Sequence, residues 1–174
     1  MRDILRLFVI QAKTLSADCI AIFDDILMRL VDRVDETVLI ELSNALAAVP
    51  NAPPNVINQL ARYRNIAISG ALLRNSAAIS EQTLAEIVKG KNPPQIDAII
   101  ARERIPEAVT DLLVDAGDTE VARNLLRNAS AAISVRGFVK LIRRAENEPT
   151  LAAEIAQRAD MPHELRAFLQ VPAA

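Results

Sequence analysis

The chain has 174 residues, a length that suits one compact domain or one short repeat array. Hydrophobic residues make up 51% and aromatic residues 3%, so the core is expected to consist of Leu, Ile, Val and Ala. Only four glycines are present, which disfavours turn-rich β folds, and the many good helix formers predict an all-α protein. The formal net charge of −2 excludes a strongly basic protein, and the single cysteine, Cys19, excludes an intramolecular disulfide and a thiolate metal cluster.

Short amphipathic helices follow one another along the chain. The first predicted helix covers residues 16–34, with Ser16 as its N-cap, and the second covers residues 36–48. Further helices are predicted to begin at prolines, which the first helical turn tolerates: Pro54, Pro94, Pro106, Pro149 and Pro162. We predict about ten short helices and no strand. We expect a single helical-repeat domain over residues 1–174, with an N-terminal extension in residues 1–15 and repeats in residues 16–170.

Two sequence elements recur. The first comprises Arg102, Ile105, Pro106, Val109 and Leu112, and it returns 56 residues later as Arg158, Met161, Pro162, Leu165 and Phe168. An earlier and weaker copy, without the arginine, begins at Pro54 and includes Leu60. The equivalent positions Leu60, Leu112 and Phe168 are therefore expected to be buried.

The second element is Leu-Leu-Arg-Asn, which ends at Asn75 and again at Asn128, each time followed by Ile-Ser. Both asparagines are expected to end a helix, because Asn tolerates the left-handed conformation of a C-cap. Ser80 and Ser134 are expected to cap the helices that follow. Recurrence of residue type and spacing together indicates stacked helical units, none of which can bury its apolar face alone.

These segments resemble a bacterial family called domain of unknown function 2336. The resemblance lies in residues 60–61, 67–73, 79–80, 100–102, 109–114, 128–134 and 158–162, and it covers roughly residues 15–169. The family is similar to HEAT and leucine-rich-repeat-variant solenoids, which implies a right-handed α-solenoid of stacked helices. It implies no activity and no functional residue. Members often have a His before the Ile-Ala-x-Arg helix, where this chain has residues 94–97, Pro-Gln-Ile-Asp.

No residue pattern indicates chemistry. His163 is the only histidine and is expected at the surface in the first turn of the last helix, while Cys19 is expected to be a small core residue. Gly90-Lys91 lacks the remaining residues of a phosphate-binding loop. We therefore assign no catalytic residue, no metal ligand and no cofactor. No segment approaches the ~18 apolar residues of a membrane span, and with one cysteine we expect a cytoplasmic protein.

Arg102 and Arg158 occupy the same position in the two copies of the first element. Each is expected near a helix end, where a cation interacts favourably with the helix dipole and can donate forked hydrogen bonds. We interpret both as structural clamps between helices, and a ligand-binding role is the alternative.

Positive charge is concentrated in the middle of the chain. Residues 1–60 carry a net charge of −3, residues 61–145 carry +4, and residues 146–174 carry −3. Residues 121–145 contain no acid and six bases, which are Arg123, Arg127, Arg136, Lys140, Arg143 and Arg144. The last four share one face of a helix opposite Val135, Phe138, Val139 and Ile142, so they are expected to be in water. They are either an ordinary solvated surface or a docking surface for an acidic partner.

The sequence therefore predicts a non-catalytic protein–protein interaction module or scaffold. The sequence does not identify the protein partner, and an acidic protein and a second copy of this chain in a homodimer are both compatible with it. Nucleic-acid or polyanion binding through the basic face is the alternative, but the net charge of −2 and the scarcity of aromatic residues argue against it. An enzyme is the least favoured class.

Overall fold

The computed structural model describes residues 15–169, and all regular elements in this range are helices. The eleven helices are α1 (Ala17–Val31), α2 (Glu36–Leu46), α3 (Pro54–Ala61), α4 (Ile66–Asn75), α5 (Glu81–Lys89), α6 (Pro93–Ile100), α7 (Glu107–Ala116), α8 (Thr119–Arg127), α9 (Val135–Ala145), α10 (Pro149–Ala156) and α11 (His163–Arg166). The all-α prediction is confirmed. The predicted N-terminal extension lies outside the described residues except for Leu15.

The described residues fall into two compact units, one that ends at Ile87 and one that begins at Val88, so the boundary lies within α5. In the first unit, α3 packs on α1, α2 and α4, and α2 packs on α4. In the second unit, α8 packs on α6, α7 and α10, and α9 packs on α7 and α10. The expectation of a single domain stays a prediction.

Aliphatic side chains form the core of both units, as the composition predicts. Leu27, Leu42 and Leu60 in the first unit and Leu141 and Ile155 in the second have no exposed surface. A single fully buried aromatic ring, Phe138, contributes to the core formed by the described residues. Among these residues no helix is long and apolar enough to cross a membrane.

Serine caps and prolines set the beginnings of several helices. The Ser16 Oγ accepts a hydrogen bond from the Cys19 amide at 3.3 Å, and the Ser134 Oγ accepts one from the Gly137 amide at 2.8 Å. Ser80 likewise accepts from the Thr83 amide at 3.1 Å. These hydrogen bonds satisfy amides that the helix itself leaves without partners, and they confirm the three predicted caps.

The predicted prolines lie at or next to helix starts. Pro54 and Pro149 are first helical residues, Pro94 is the second, and Pro106 and Pro162 precede the first residue as N-caps. Proline suits all these positions because its missing amide has no helical partner there.

Helix ends differ from the predictions in detail. α1 ends at Val31 and α2 at Leu46, each two or three residues earlier than predicted. Asn75 ends α4 and Asn128 follows α8, as predicted, but Asn128 has φ −82° and is therefore not left-handed. Its side chain instead donates hydrogen bonds to the carbonyls of Ile100 at 2.6 Å and Arg102 at 2.8 Å.

The predicted burial of the three equivalent apolar positions is correct for only one of them. Leu60 is fully buried, but Leu112 is half-buried and Phe168 is 70% exposed. On α7 the inward positions are Val109 and Leu113, four residues apart, which leaves Leu112 on the flank. Phe168 lies beyond α11, which has only four residues.

Polar side chains connect each of three helices to the second helix after it. The buried Asp24 carboxylate on α1 accepts from the amide of Val56 at 2.9 Å, at the start of α3. Asn58 on α3 accepts from the Ser80 amide at 3.0 Å, and Asp111 on α7 accepts from the Ser134 hydroxyl at 2.6 Å. Each contact lies within one unit and fixes the start of a helix against its neighbour.

Candidate interaction surface

The six bases of residues 121–145 lie on two successive helices of the second unit. α8 carries Arg123 and Arg127, and α9 carries Arg136, Lys140, Arg143 and Arg144. α9 turns Phe138, Leu141 and Ile142 into the core, which places its basic residues on the opposite side.

The two bases of α8 contact acids of the neighbouring helix α10 and the residue before it. Arg127 Nη2 lies 3.0 Å from a carboxylate oxygen of Glu154. Arg123 lies 3.9 Å from Glu154 and 3.7 Å from Glu148, and it also contacts the hydroxyl of Thr150. These two arginines therefore connect α8 with α10 inside the unit.

Two bases of α9 face the end of α7. The Lys140 ammonium contacts the Asp115 carboxylate, and Arg144 Nη1 donates to the carbonyl of Gly117 at 3.0 Å. The hydrogen bond from Lys140, together with the positive charges of Lys140, Arg136 and Arg144, holds the pKa of the Asp115 carboxyl below its usual value. Lys140 and Arg144 are half-buried and contact α7, whereas the sequence analysis expected them to extend into water like the other two bases of α9.

The remaining two bases, Arg136 and Arg143, are exposed. Neither makes a hydrogen bond or an ion pair with any residue from 15 to 169. The acids that balance the other four bases, Asp115, Glu148 and Glu154, lie outside residues 121–145 in sequence but beside them in space. Of the six bases, only Arg136 and Arg143 therefore lack a hydrogen bond or an ion pair with a described residue, and the charge of Arg136 still acts on Asp115.

An apolar groove of about 590 Å³ lies next to Arg143. α9 contributes Val139 and Ile142, and the chain at and after α11 contributes Leu165 and Phe168. Phe168 is 70% exposed, and Val135, at the start of α9, is 61% exposed. The sequence prediction for both residues is wrong, because Val135 was placed on the inward face and Phe168 in the core.

Arg158 is 5% exposed and donates hydrogen bonds to three backbone carbonyls, one in the last turn of α8 and two in the segment after it. Its Nη1 lies 2.5 Å from the Asn128 oxygen and 3.3 Å from the Leu126 oxygen, and its Nη2 lies 2.7 Å from the Ala131 oxygen. The Asp160 carboxylate holds the other edge of the guanidinium at 2.6 and 2.8 Å. These contacts support the interpretation of Arg158 as a structural clamp.

Arg102, the equivalent residue of the earlier copy, is 9% exposed, and burial lowers the pKa of its guanidinium. Only the later copy has an acidic residue two positions after its arginine. Asp160 lies two residues after Arg158, whereas Arg104 lies two residues after Arg102. The clamp role of Arg102 stays a prediction.

The two residues considered for chemistry are both at the surface. Cys19 is exposed, so its predicted place in the core is wrong, because α1 buries Asp24, Leu27 and Val31 instead. His163 is exposed in the first turn of α11, as predicted, with Nδ1 3.3 Å from Glu164. In the part of the chain that the structure describes, no three His, Cys, Asp or Glu side chains are grouped to hold a metal.

The second unit thus presents an exposed apolar groove with free arginines beside it, on an all-helical framework with recurring elements. Residues 68–171 match the model of a family described as "Uncharacterised protein conserved in bacteria (DUF2336)", and the chain belongs to this family. The resemblance predicted from the sequence is therefore confirmed over most of its length. No curated protein and no solved structure matches the chain.

Proposed function

We propose that this chain is a non-catalytic protein–protein interaction module whose partner binds the groove beside α9. The observation that carries the proposal is the exposed Phe168 in a groove that Arg143 also lines, together with the exposed Val135 and Arg136 on α9. Neither arginine makes a hydrogen bond or an ion pair with a residue from 15 to 169. Aromatic and arginine side chains are enriched at the energetic centres of protein interfaces. A cation without an intramolecular partner favours an acidic residue on the protein that binds.

The proposal includes a right-handed α-solenoid of HEAT-like stacked helices. Its support is the coupling of each of three helices to the second helix after it, through Asp24, Asn58 and Asp111. In a stacked array, equivalent helices of neighbouring repeats are adjacent, which brings alternate helices into contact. The proposal also includes a cytoplasmic location and the absence of enzymatic activity and of a cofactor.

The alternative of polyanion binding has less support. Arg123, Arg127, Lys140 and Arg144 already contact acids or carbonyls of their own unit. A polyanion would gain only two free cations on α9, and phosphate-driven binding depends on many such contacts. A DNA titration at two salt concentrations separates the classes, since phosphate contacts give affinities that fall steeply with salt.

The test is affinity capture from the native cells with matched charge reversals. We expect the wild-type protein to capture a partner reproducibly and the Arg136→Glu, Arg143→Glu double variant to lose most of it, most clearly at low salt. Two reversals of exposed bases outside α9, Lys89→Glu and Arg104→Glu, provide the control and should capture normally. Equal capture by the α9 variant and the control would place the interface elsewhere, and capture of nothing by the folded wild-type protein would refute the proposed function.

A further inference from the structure

The groove beside α9 is lined by residues whose equivalents in the preceding repeat are buried against other helices. Val109 and Leu113 on α7 are 0% and 1% exposed, and α8 and α9 pack against this helix. Their equivalents 56 residues later, Leu165 and Leu169, line the groove and are only half-buried. The lining of the groove therefore resembles the surface on which α8 and α9 pack in the preceding repeat.

Two exposed arginines of α9, of which Arg143 lines the groove together with the acid Glu146, indicate the charge of a helix that would fit there. Arg136 and Arg143 are seven residues apart on α9, so they lie on the same side about two turns, or ~10 Å, apart. Lys140 and Arg144 are held by α7 and are not available to a partner. A complementary helix needs acids seven residues apart beside exposed apolar side chains.

The outer face of α1 has this pattern. Ile22 and Ile26 are 59% and 39% exposed, and Asp18 and Asp25 flank them at a spacing of seven residues. All four positions fall on one side of the helix, away from the buried Leu27. Asp18 makes no ion pair with a described residue. The Asp25 carboxylate lies 3.7 Å from the Arg29 guanidinium, but both side chains are exposed, so this ion pair contributes little free energy.

We propose that the occupant of the groove is α1 of a second copy of this chain. Ile22 and Ile26 enter the apolar lining around Phe168, and Asp18 and Asp25 pair with Arg136 and Arg143. The contact joins two different surfaces, so it is head-to-tail, and a dimer keeps one free groove on one copy and one free α1 face on the other for further copies. This inference rests on the proposed function, because it names the partner of the same groove.

The first measurement is the mass of the wild-type protein by light scattering from about 1 to 100 µM, a range that brackets micromolar dissociation constants. We expect the average mass to rise above that of one chain as concentration increases, and to fall when salt screens the ion pairs. A mass that stays at one chain over the whole range would overturn the proposal.

Two half-defective variants test the head-to-tail geometry. Ile22→Asp removes the apolar α1 face and keeps the groove, while Phe168→Asp disrupts the groove and keeps α1. Each variant alone should be monomeric, with an unchanged helical circular-dichroism signal, because both positions are exposed. Mixed together they should form a dimer that does not grow further. If the mixture stays monomeric, or if either variant alone still assembles, the contact is not this one.

A charge exchange tests the pairing itself. Arg143→Glu should raise the dissociation constant about tenfold, as expected for a charge at an interface rim. Adding Asp25→Arg in the same chain should restore most of the loss, whereas adding Lys89→Glu, the matched exposed control, should not. Failure of the restoring variant would overturn the pairing. A monomeric wild-type protein that still captures another protein through Arg143 would overturn this inference and leave the proposed function standing.

Discussion

Removing the Arg158 side chain is expected to cost this protein a large part of its stability. The guanidinium is 5% exposed and donates to the carbonyls of Leu126, Asn128 and Ala131 while Asp160 holds its other edge. In Arg158→Ala these three carbonyls lose a charged donor at once. Leu126 and Ala131 are buried, so water cannot easily replace the lost donor there.

The magnitude follows from the number and kind of the contacts. A hydrogen bond to a charged group contributes about 1.5–3 kcal/mol, but bonds that share one side chain do not add. Breaking a buried charged cluster from one side typically costs about 3–5 kcal/mol, and we expect a loss in this range for Arg158→Ala. Arg158→Lys keeps the charge but not the planar fork, so we expect a smaller loss of about 1–3 kcal/mol.

The assay is urea unfolding followed by circular dichroism, with the free energy of unfolding taken from the midpoint and slope. Arg104→Ala is the control, because this arginine is exposed in the same unit and its removal should change stability by less than about 0.5 kcal/mol. A loss below about 1 kcal/mol for Arg158→Ala would refute the reasoning that these contacts hold the segment after α8.

Three further predictions concern α7 and its surroundings. Leu113→Ala should lower the free energy of unfolding, measured in urea, by about 2–5 kcal/mol. Leu112→Ala should lower it by clearly less, because Leu112 is only half-buried. Equal losses would contradict the assignment of the inward face of α7. Gly117→Ala should lower the melting temperature, because an added Cβ would lie 2.7 Å from the Leu113 carbonyl oxygen, and an unchanged value would mean that the turn shifts freely. The lowered pKa of Asp115 should give stability that is present above its unfolded value of about 3.9 and lost as pH falls through the folded value. Lys140→Met should flatten this acid dependence in unfolding measured between about pH 2 and 5, and an unchanged slope would exclude the pair as its source.

The sequence pattern predicts local structure well and lateral packing poorly. Helix starts at Ser16 and Ser134 depend on interactions within four residues, and both are correct. The contact of Lys140 with Asp115 joins residues 25 apart in sequence, and no helical period brings such a pair together. A charge count over consecutive residues therefore overestimated the free basic surface.

The errors at Cys19, Leu112 and Phe168 have a related cause. A helix period identifies which residues share a side but not which side another helix covers. On α7 the covered side includes Leu113 instead of Leu112, and on α1 it includes Asp24, a core position that composition alone would assign to an apolar residue. Phe168 follows the repeat pattern, but α11 is only four residues long and no helix covers it among the described residues.

The hydrogen bonds of Asn128 should limit how often the loop after α8 opens to solvent. Its side-chain amide holds the carbonyls of Ile100 and Arg102, and its own carbonyl is held by Arg158. The loop after α8 is therefore hydrogen-bonded both to the end of α6 and the residues after it and to Arg158 after α10. Loops without such contacts commonly open at little free-energy cost. The Ala131 and Ala132 amides, which donate to Asn128 and to Ile105, should exchange their hydrogens with solvent only when the surrounding helices open as well. These two amides of the loop after α8 would then exchange as slowly as amides inside the helices of the second unit.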